Sequence, residues 1–247
     1  MKIKTSTITE RHMVNSMKKK IYFIINILIS IAVYIVNAFY QYHNFNFTLK
    51  CIASGLFAIL SIINVTYFIK EAIKKENLKY PLAMMVGSIF CFLGDAFIHA
   101  NFILGVVLFA LGHVFYVIGY CMLQNFQKLD FIIGGGLGLI TGLFVALCPL
   151  LKFDAPILKV ACVVYALILS FMVGKTVSNY INSKNKLNMY LMIGAILFLI
   201  SDLCLLICWF WHVGVSRIFN HICMGTYYPA NLLFAYSIYY YLKEKNN

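Results

Sequence analysis

The chain has 247 residues, 62% hydrophobic and 11% charged, with a formal net charge of +12. Apolar runs of about twenty residues recur from end to end, the composition of a polytopic membrane protein and not of a water-soluble domain. The positive charge is scattered through short connections instead of forming a basic patch interleaved with aromatics, which argues against a nucleic-acid partner.

Lipid cannot satisfy backbone amides, so membrane spans must be helices or a closed barrel, and continuous apolar runs without period-two alternation select helices. The expected fold is an all-α bundle. Residues 1–19 read as a basic, disordered tail or the result of an upstream start, and residues 20–243 as a single transmembrane domain. Met17 followed by Lys18, Lys19 and Lys20 resembles the start of a signal peptide, with Val36, Asn37 and Ala38 as a passable cleavage site. Cleavage there would remove the first span and spoil the charge alternation, so the span is retained.

The predicted spans follow at about 20–42, 48–69, 80–98, 101–121, 130–150, 156–175, 188–210 and 220–243. Sixteen of the twenty Lys and Arg residues fall in the N-terminal tail, the 2–3, 4–5 and 6–7 connections and the C-terminus, while Lys50, Lys152, Lys159 and Arg217 fall on the other side. Basic residues are retained in the cytoplasm, so eight spans with both termini cytoplasmic follow. The same charges face anionic lipid headgroups. The eight cysteines lie in or near the spans without a paired C-x-x-C motif, and read as packing residues, with neither a disulfide framework nor a metal site.

Glu10, Glu71, Glu76, Asp130, Asp154 and Glu244 fall in tails, connections or span ends, which leaves Asp95 and Asp202 well inside spans. A charge at the bilayer centre costs roughly 2.5–3.5 kcal/mol on insertion scales, so an intramembrane acid is by default a functional hypothesis. An acid that merely ties helices together by hydrogen bonding is the plain alternative for either one alone. Asp95 closes the stretch GSIFCFLGD and Asp202 closes GAILFLISD, each acid eight residues after a glycine, Gly87 or Gly194. Helix rise places both about 21–23 Å from the cytoplasmic face. The offset of 107 residues suggests two parallel four-helix repeats, spans 1–4 on spans 5–8, whose pseudo-twofold would bring both carboxyl groups to one central cavity.

In the fourth span Gly105, Phe109, His113, Tyr116 and Tyr120 share one helical face, a polar and aromatic seam. A lone histidine in a span is often a satisfied hydrogen-bonding residue, and that reading of His113 stands beside a functional one. In the last span Tyr227, Tyr228 and Asn231 cluster at helical spacing level with the aspartates, and Pro229 frees a backbone carbonyl there.

These residues carry a resemblance to the YhhN-like membrane proteins, the lysoplasmalogenase family. The matching segments are GDAFIHANFILGVVLFALGHVFY at 94–116, GAILFLISD at 194–202 and TYYPANLLFAYS at 226–237, with weaker agreement at Lys50 and at LKVACVVYALILSFM, 158–172. Asn231 stands where the family usually has glutamine, and Cys51 where proline is common. The resemblance implies cleavage of the vinyl ether bond of lysoplasmalogens to a fatty aldehyde and a glycerophospho-alcohol. A vinyl ether is acid-labile, and its cleavage needs one proton donor and one carboxylate that stabilises positive charge and positions water. Asp95 and Asp202 are the expected acid/base pair, because desolvation and mutual repulsion hold a proton on two such groups. His113, Tyr116, Ser201, Tyr227, Tyr228 and Asn231 are expected to orient water, carboxyls and the glycerol moiety, and Lys50, on the outer rim, to meet the phosphate.

No cofactor is expected. The expected partners are a lysophospholipid, water and membrane lipids, in the plasma membrane of a bacterium. Two rival readings remain at this stage. One is a zinc hydrolase using His99, His212 and His221 with an aspartate, although their spacing matches no ligand motif. The other is a proton- or cation-coupled transporter using the paired aspartates, to which the triple glycine at 134–136 lends support if it breaks the fifth helix.

Overall fold

A computed structural model of the chain describes residues 2–43, 46–69, 75–211 and 216–245. Among these the fold is all α, with eight long helices: α1 (Lys2–Tyr42), α2 (Phe47–Ile69), α3 (Lys79–Phe97), α4 (Phe102–Leu123), α5 (Lys128–Leu147), α6 (Pro156–Asn182), α7 (Lys186–Phe210) and α8 (Ser216–Lys245). Seven of them, α1 to α7, are long and apolar enough to cross a membrane, the segment of α1 that qualifies being Lys20–Tyr42. The protein is therefore a multi-pass membrane protein.

The expected eighth span, α8, falls outside that group, and its packing gives the reason. It lies against α7, α2, α3 and α1, and buries Tyr227, Tyr228, Asn231, Ser237 and Tyr239. A helix enclosed by protein has no need of a wholly apolar surface, so its polar side chains find partners instead of lipid. By contrast α1 and α5 sit at the margins. They turn Ile24, Leu28 and Ile35, and Ile132, Ile140 and Leu147, outward.

Successive helices pack as neighbours, α1 on α2, α3 on α4, α5 on α6 and α7 on α8, while α4 on α6 and α2 on α8 join the pairs. Small residues set the closest approaches. A Cβ on Gly174 of α6 would lie 2.3 Å from the backbone nitrogen of Gly134 on α5, so these helices touch backbone to backbone. Gly87 and Gly194, the glycines eight residues before the two aspartates, each make room for a ring from the following helix: Tyr116 from α4, Phe234 from α8, both 2.6 Å from where a Cβ would stand. The triple glycine does not break α5, which is continuous from Lys128 to Leu147.

The candidate active site

Asp95 and Asp202 each lie sixteen residues after the first residue of their helices, Lys79 and Lys186, which sets both about 24 Å along the helix axis. Their surroundings differ. Asp95 is buried, 2% exposed, and its Oδ1 pairs with the Lys50 ammonium of α2 at 2.9 Å. Its Oδ2 accepts hydrogen bonds from the Ser54 hydroxyl, one turn beyond Lys50, and from the Tyr227 hydroxyl of α8 at 2.6 Å. A charge at this depth needs both neutralisation and hydrogen bonds, and two helices, α2 and α8, supply them.

Lys50 is thus not on the outer rim. It is 2% exposed, and its ammonium turns into the bundle because the buried carboxylate offers more than headgroup water does. The Tyr228 hydroxyl donates to the Lys50 backbone carbonyl at 3.4 Å, tying α8 to the same turn of α2.

Asp202 is only part-buried, and among the described residues its hydrogen-bond donor is the Tyr165 hydroxyl of α6, onto Oδ2. It faces a cavity of about 60 Å³ between α4, α5, α6 and α7, whose wall is otherwise largely apolar. Asp95 does not line that cavity, so the two carboxyl groups do not open onto one space as the repeat argument suggests. Phe109 is the reason: Gly94, beside Asp95, admits its ring at 2.8 Å from where a Cβ would stand, and that ring forms part of the cavity wall.

A layer of rings joins the two carboxyl sites. Tyr227 meets Phe198 at 5.3 Å between centroids and Phe109 at 6.3 Å, and His113 meets Phe198 at 4.6 Å and Tyr165 at 5.4 Å. His113 is wholly buried, and its Nδ1 lies 2.6 Å from the Phe109 carbonyl. A carbonyl only accepts, so Nδ1 carries the hydrogen and Nε2 is left as an acceptor, with no partner among the described residues. Tyr116 donates to the Asn231 side chain at 3.4 Å, and Asn231 in turn donates to the Tyr227 carbonyl at 3.1 Å. Ser201 adjoins Asp202 in sequence but turns to Cys223 of α8, at 3.4 Å.

A third buried acid escaped the sequence reading. Asp130 is fully buried at the start of α5, where it caps the Gln127 amide at 2.9 Å and pairs with Lys175 of α6 at 2.9 Å. Lys175 also donates to the Asn125 carbonyl at 2.8 Å. It is an interior residue of α6, which runs on to Asn182 beyond the expected span end at residue 175.

Among the described residues no three of His, Cys, Asp and Glu come together as a metal-binding group. His99 packs against Phe47 at 5.5 Å, His221 lies 2.6 Å from the Gln41 side chain, and His212 lies outside the described residues. Burial, and after it the nearby Lys50 ammonium, lower the pKa of His99, which stands in the turn after α3.

Two residues of the site, Ser54 and Tyr165, are not singled out by the sequence, although Tyr165 lies within the segment 158–172. Lys50, Ser54, Phe57, Ser61 and Asn64 recur at spacings of four, three, four and three, a buried stripe on α2 that periodicity alone could have found. Tyr165 sits in an apolar run with no such neighbours, and nothing in its local sequence sets it apart.

A bundle of membrane helices with an ion-paired aspartate and a second aspartate on an apolar cavity defines an intramembrane protein with a built polar centre. The chain belongs to the YhhN family, whose model matches residues 45–238 and so takes in both aspartates and their partners. No curated protein and no solved structure matches the chain.

Proposed function

We propose that this protein is an integral membrane hydrolase that cleaves the vinyl ether bond of lysoplasmalogens, or of closely related lysophospholipid ethers, to a fatty aldehyde and a glycerophospho-alcohol. The observation that carries the reading is the contrast between the two carboxyl groups. Asp95 is neutralised by Lys50 and saturated by hydroxyls, whereas Asp202 has one tyrosine donor and faces a cavity. Paired carboxyl groups in unlike environments divide into an acid and a charge-stabilising partner.

In this mechanism the Asp202 carboxyl group gives its proton to the β-carbon of the vinyl ether. The double bond becomes an oxocarbenium ion shared between the adjacent carbon and the ether oxygen. Water adds to that carbon and returns a proton to the Asp202 carboxylate. The resulting hemiacetal then breaks its bond to the glycerol oxygen as its hydroxyl proton passes to the leaving alkoxide. One water is consumed, and Asp202 ends as it began. Tyr165 fixes one oxygen of Asp202 and leaves the other for proton transfer. His113, whose Nε2 is left as an acceptor, and Asp95, held by Lys50, Ser54 and Tyr227 behind the Phe109 ring, act on the cavity from outside its wall. Tyr116, Asn231, Ser201 and Tyr228 do not line the cavity and instead hold the helices around it through hydrogen bonds to Asn231, Tyr227, Cys223 and Lys50.

The test is product analysis on purified protein given alkenyl, alkyl and acyl lysophospholipids. Aldehyde from the alkenyl lipid alone, reduced on the order of 10²-fold or more in Asp202→Asn, is the expected result. Undiminished aldehyde release by Asp202→Asn removes Asp202 from the chemistry, and ion flux through reconstituted vesicles without any lipid cleavage favours a transporter.

A further inference from the structure

The helix pairs α3–α4 and α7–α8 pack alike. A Cβ on Gly87 of α3 would meet the Tyr116 ring at 2.6 Å and the Gly112 carbonyl at 2.9 Å, and one on Gly194 of α7 would meet the Phe234 ring at 2.6 Å and the Ala230 carbonyl at 3.4 Å. In sequence 107 residues separate the two glycines, as they separate Asp95 from Asp202, while 118 separate Tyr116 from Phe234 and Gly112 from Ala230. The same 118-residue register carries Phe109 of α4 onto Tyr227 of α8. Tyr227 reaches across from α8 to Asp95 on α3, at 2.6 Å, so its counterpart belongs between α4 and α7. Phe109 and Asp202 stand there on the wall of one cavity, and the phenylalanine ring brings no hydroxyl. Each acid also takes a hydroxyl from the helix before its own, Asp95 from Ser54 of α2 and Asp202 from Tyr165 of α6. One turn before Ser54 stands Lys50, and one turn before Tyr165 stands Ala161. Of the three polar partners of Asp95, only the hydroxyl of the preceding helix has an equivalent at Asp202.

We infer that Phe109 decides which aspartate stays open: it takes the place that Tyr227 holds in the other half of the fold, and the hydroxyl it lacks leaves one oxygen of Asp202 free toward the cavity. What that oxygen does, a proton transfer, rests on the proposed hydrolase reading, whereas its freedom from a hydrogen bond does not. A carboxylate that accepts two or three hydrogen bonds holds its charge and keeps little capacity for a molecule beside it, which is the condition of Asp95. A hydroxyl at Phe109 would cage Asp202 in the same way, and the contrast between the two acids would fade. Phe109 is therefore a positioning residue, acting through Asp202 and exchanging no proton itself.

The test moves the hydroxyl from one wall of the cavity to the other. Purified full-length protein carrying Phe109→Tyr, Tyr165→Phe or both is treated with dicyclohexylcarbodiimide, which adds to a protonated carboxyl group in an apolar setting and leaves a stable N-acylurea with no group expelled. The label on Asp202 is measured by peptide mass spectrometry. Phe109→Tyr is expected to cut it roughly tenfold, because the carboxyl group then has two donors. The double variant has one donor and as many atoms round the cavity as the wild type. It is expected to label within about twofold of the wild type and to recover most of the aldehyde release that Tyr165→Phe loses. Wild-type labelling in Phe109→Tyr overturns the inference. So does a double variant labelled as weakly as Phe109→Tyr, since the added atom then merely fills the cavity. Labelling needs no lipid, so the two readings separate: the expected order of labels without aldehyde from alkenyl lipids leaves the role of Phe109 standing and removes the hydrolase reading. Aldehyde release with equal labels in every variant does the reverse.

Discussion

Lys50 and Asp95 meet at 2.9 Å with side chains only 3% exposed each, so neither charge can be removed alone without stranding the other. Breaking a buried pair by deleting one partner costs about 3–5 kcal/mol. Lys50→Met should therefore lower the melting temperature of the detergent-solubilised protein sharply, and Lys50→Met combined with Asp95→Asn should recover much of the loss while remaining inactive. A phosphate-binding lysine on the rim would show the opposite pattern, normal stability with a raised KM.

Tyr165 and Tyr227 donate to different aspartates and should fail differently when each becomes phenylalanine. Tyr165→Phe leaves the acid unanchored, and kcat for aldehyde release should fall on the order of 10²-fold with little change in KM. Tyr227→Phe takes one of three partners from a buried carboxylate, a loss of about 1–3 kcal/mol that should appear first in thermal stability.

The Lys175–Asp130 pair lies apart from the cavity and should act on folding alone. Lys175→Met is expected to destabilise the protein as strongly as Lys50→Met does. Adding Asp130→Asn should restore stability and full specific activity together, since the neutral amide oxygen still caps Gln127 and no charge is left buried. Differential scanning fluorimetry and the aldehyde assay on the same preparations check both halves.

Glycines in α5 and α6 divide by what stands over them. Gly174→Ala presses a methyl group against the Gly134 backbone, which has no rotamer to yield, and should cost about 1–3 kcal/mol. Gly135→Ala meets nothing within 4 Å, so helix propensity alone acts and stability should hold or rise slightly. Paired melting curves of the two variants decide it.

Much of the bundle was readable because lipid imposes so strict a rule on the backbone. Seven apolar runs stand where composition puts them, and Asp95 and Asp202 stood out for being costly there. What escaped depended on pairing between distant segments. Lys50 looked like a rim lysine because sequence shows its place near a helix start, but not that Asp95 lies one helix away to draw it inward. Asp130 and Lys175 looked peripheral for the same reason, since 45 residues separate two charges that cancel only after α5 and α6 meet at Gly134 and Gly174. Asp202 was legible, but its partner Tyr165 was not, because one hydroxyl in an apolar run carries no periodic signal. The shared carboxyl cavity failed on a single ring, Phe109, whose position depends on Gly94.

The enclosed position of α8 bears on how the chain is made. It leaves the ribosome after the seven helices that precede it and is the one among them least suited to enter lipid unaided. By then α2, α3 and α7, the helices it lies against, have already been synthesised, so its tyrosines and amides can exchange water for protein partners in one step. The helix that completes the Asp95 site through Tyr227 thus arrives after the Lys50–Asp95 pair is available to receive it. A nascent chain stopped short of α8 would hold both aspartates in the bilayer with the Asp95 site still lacking Tyr227.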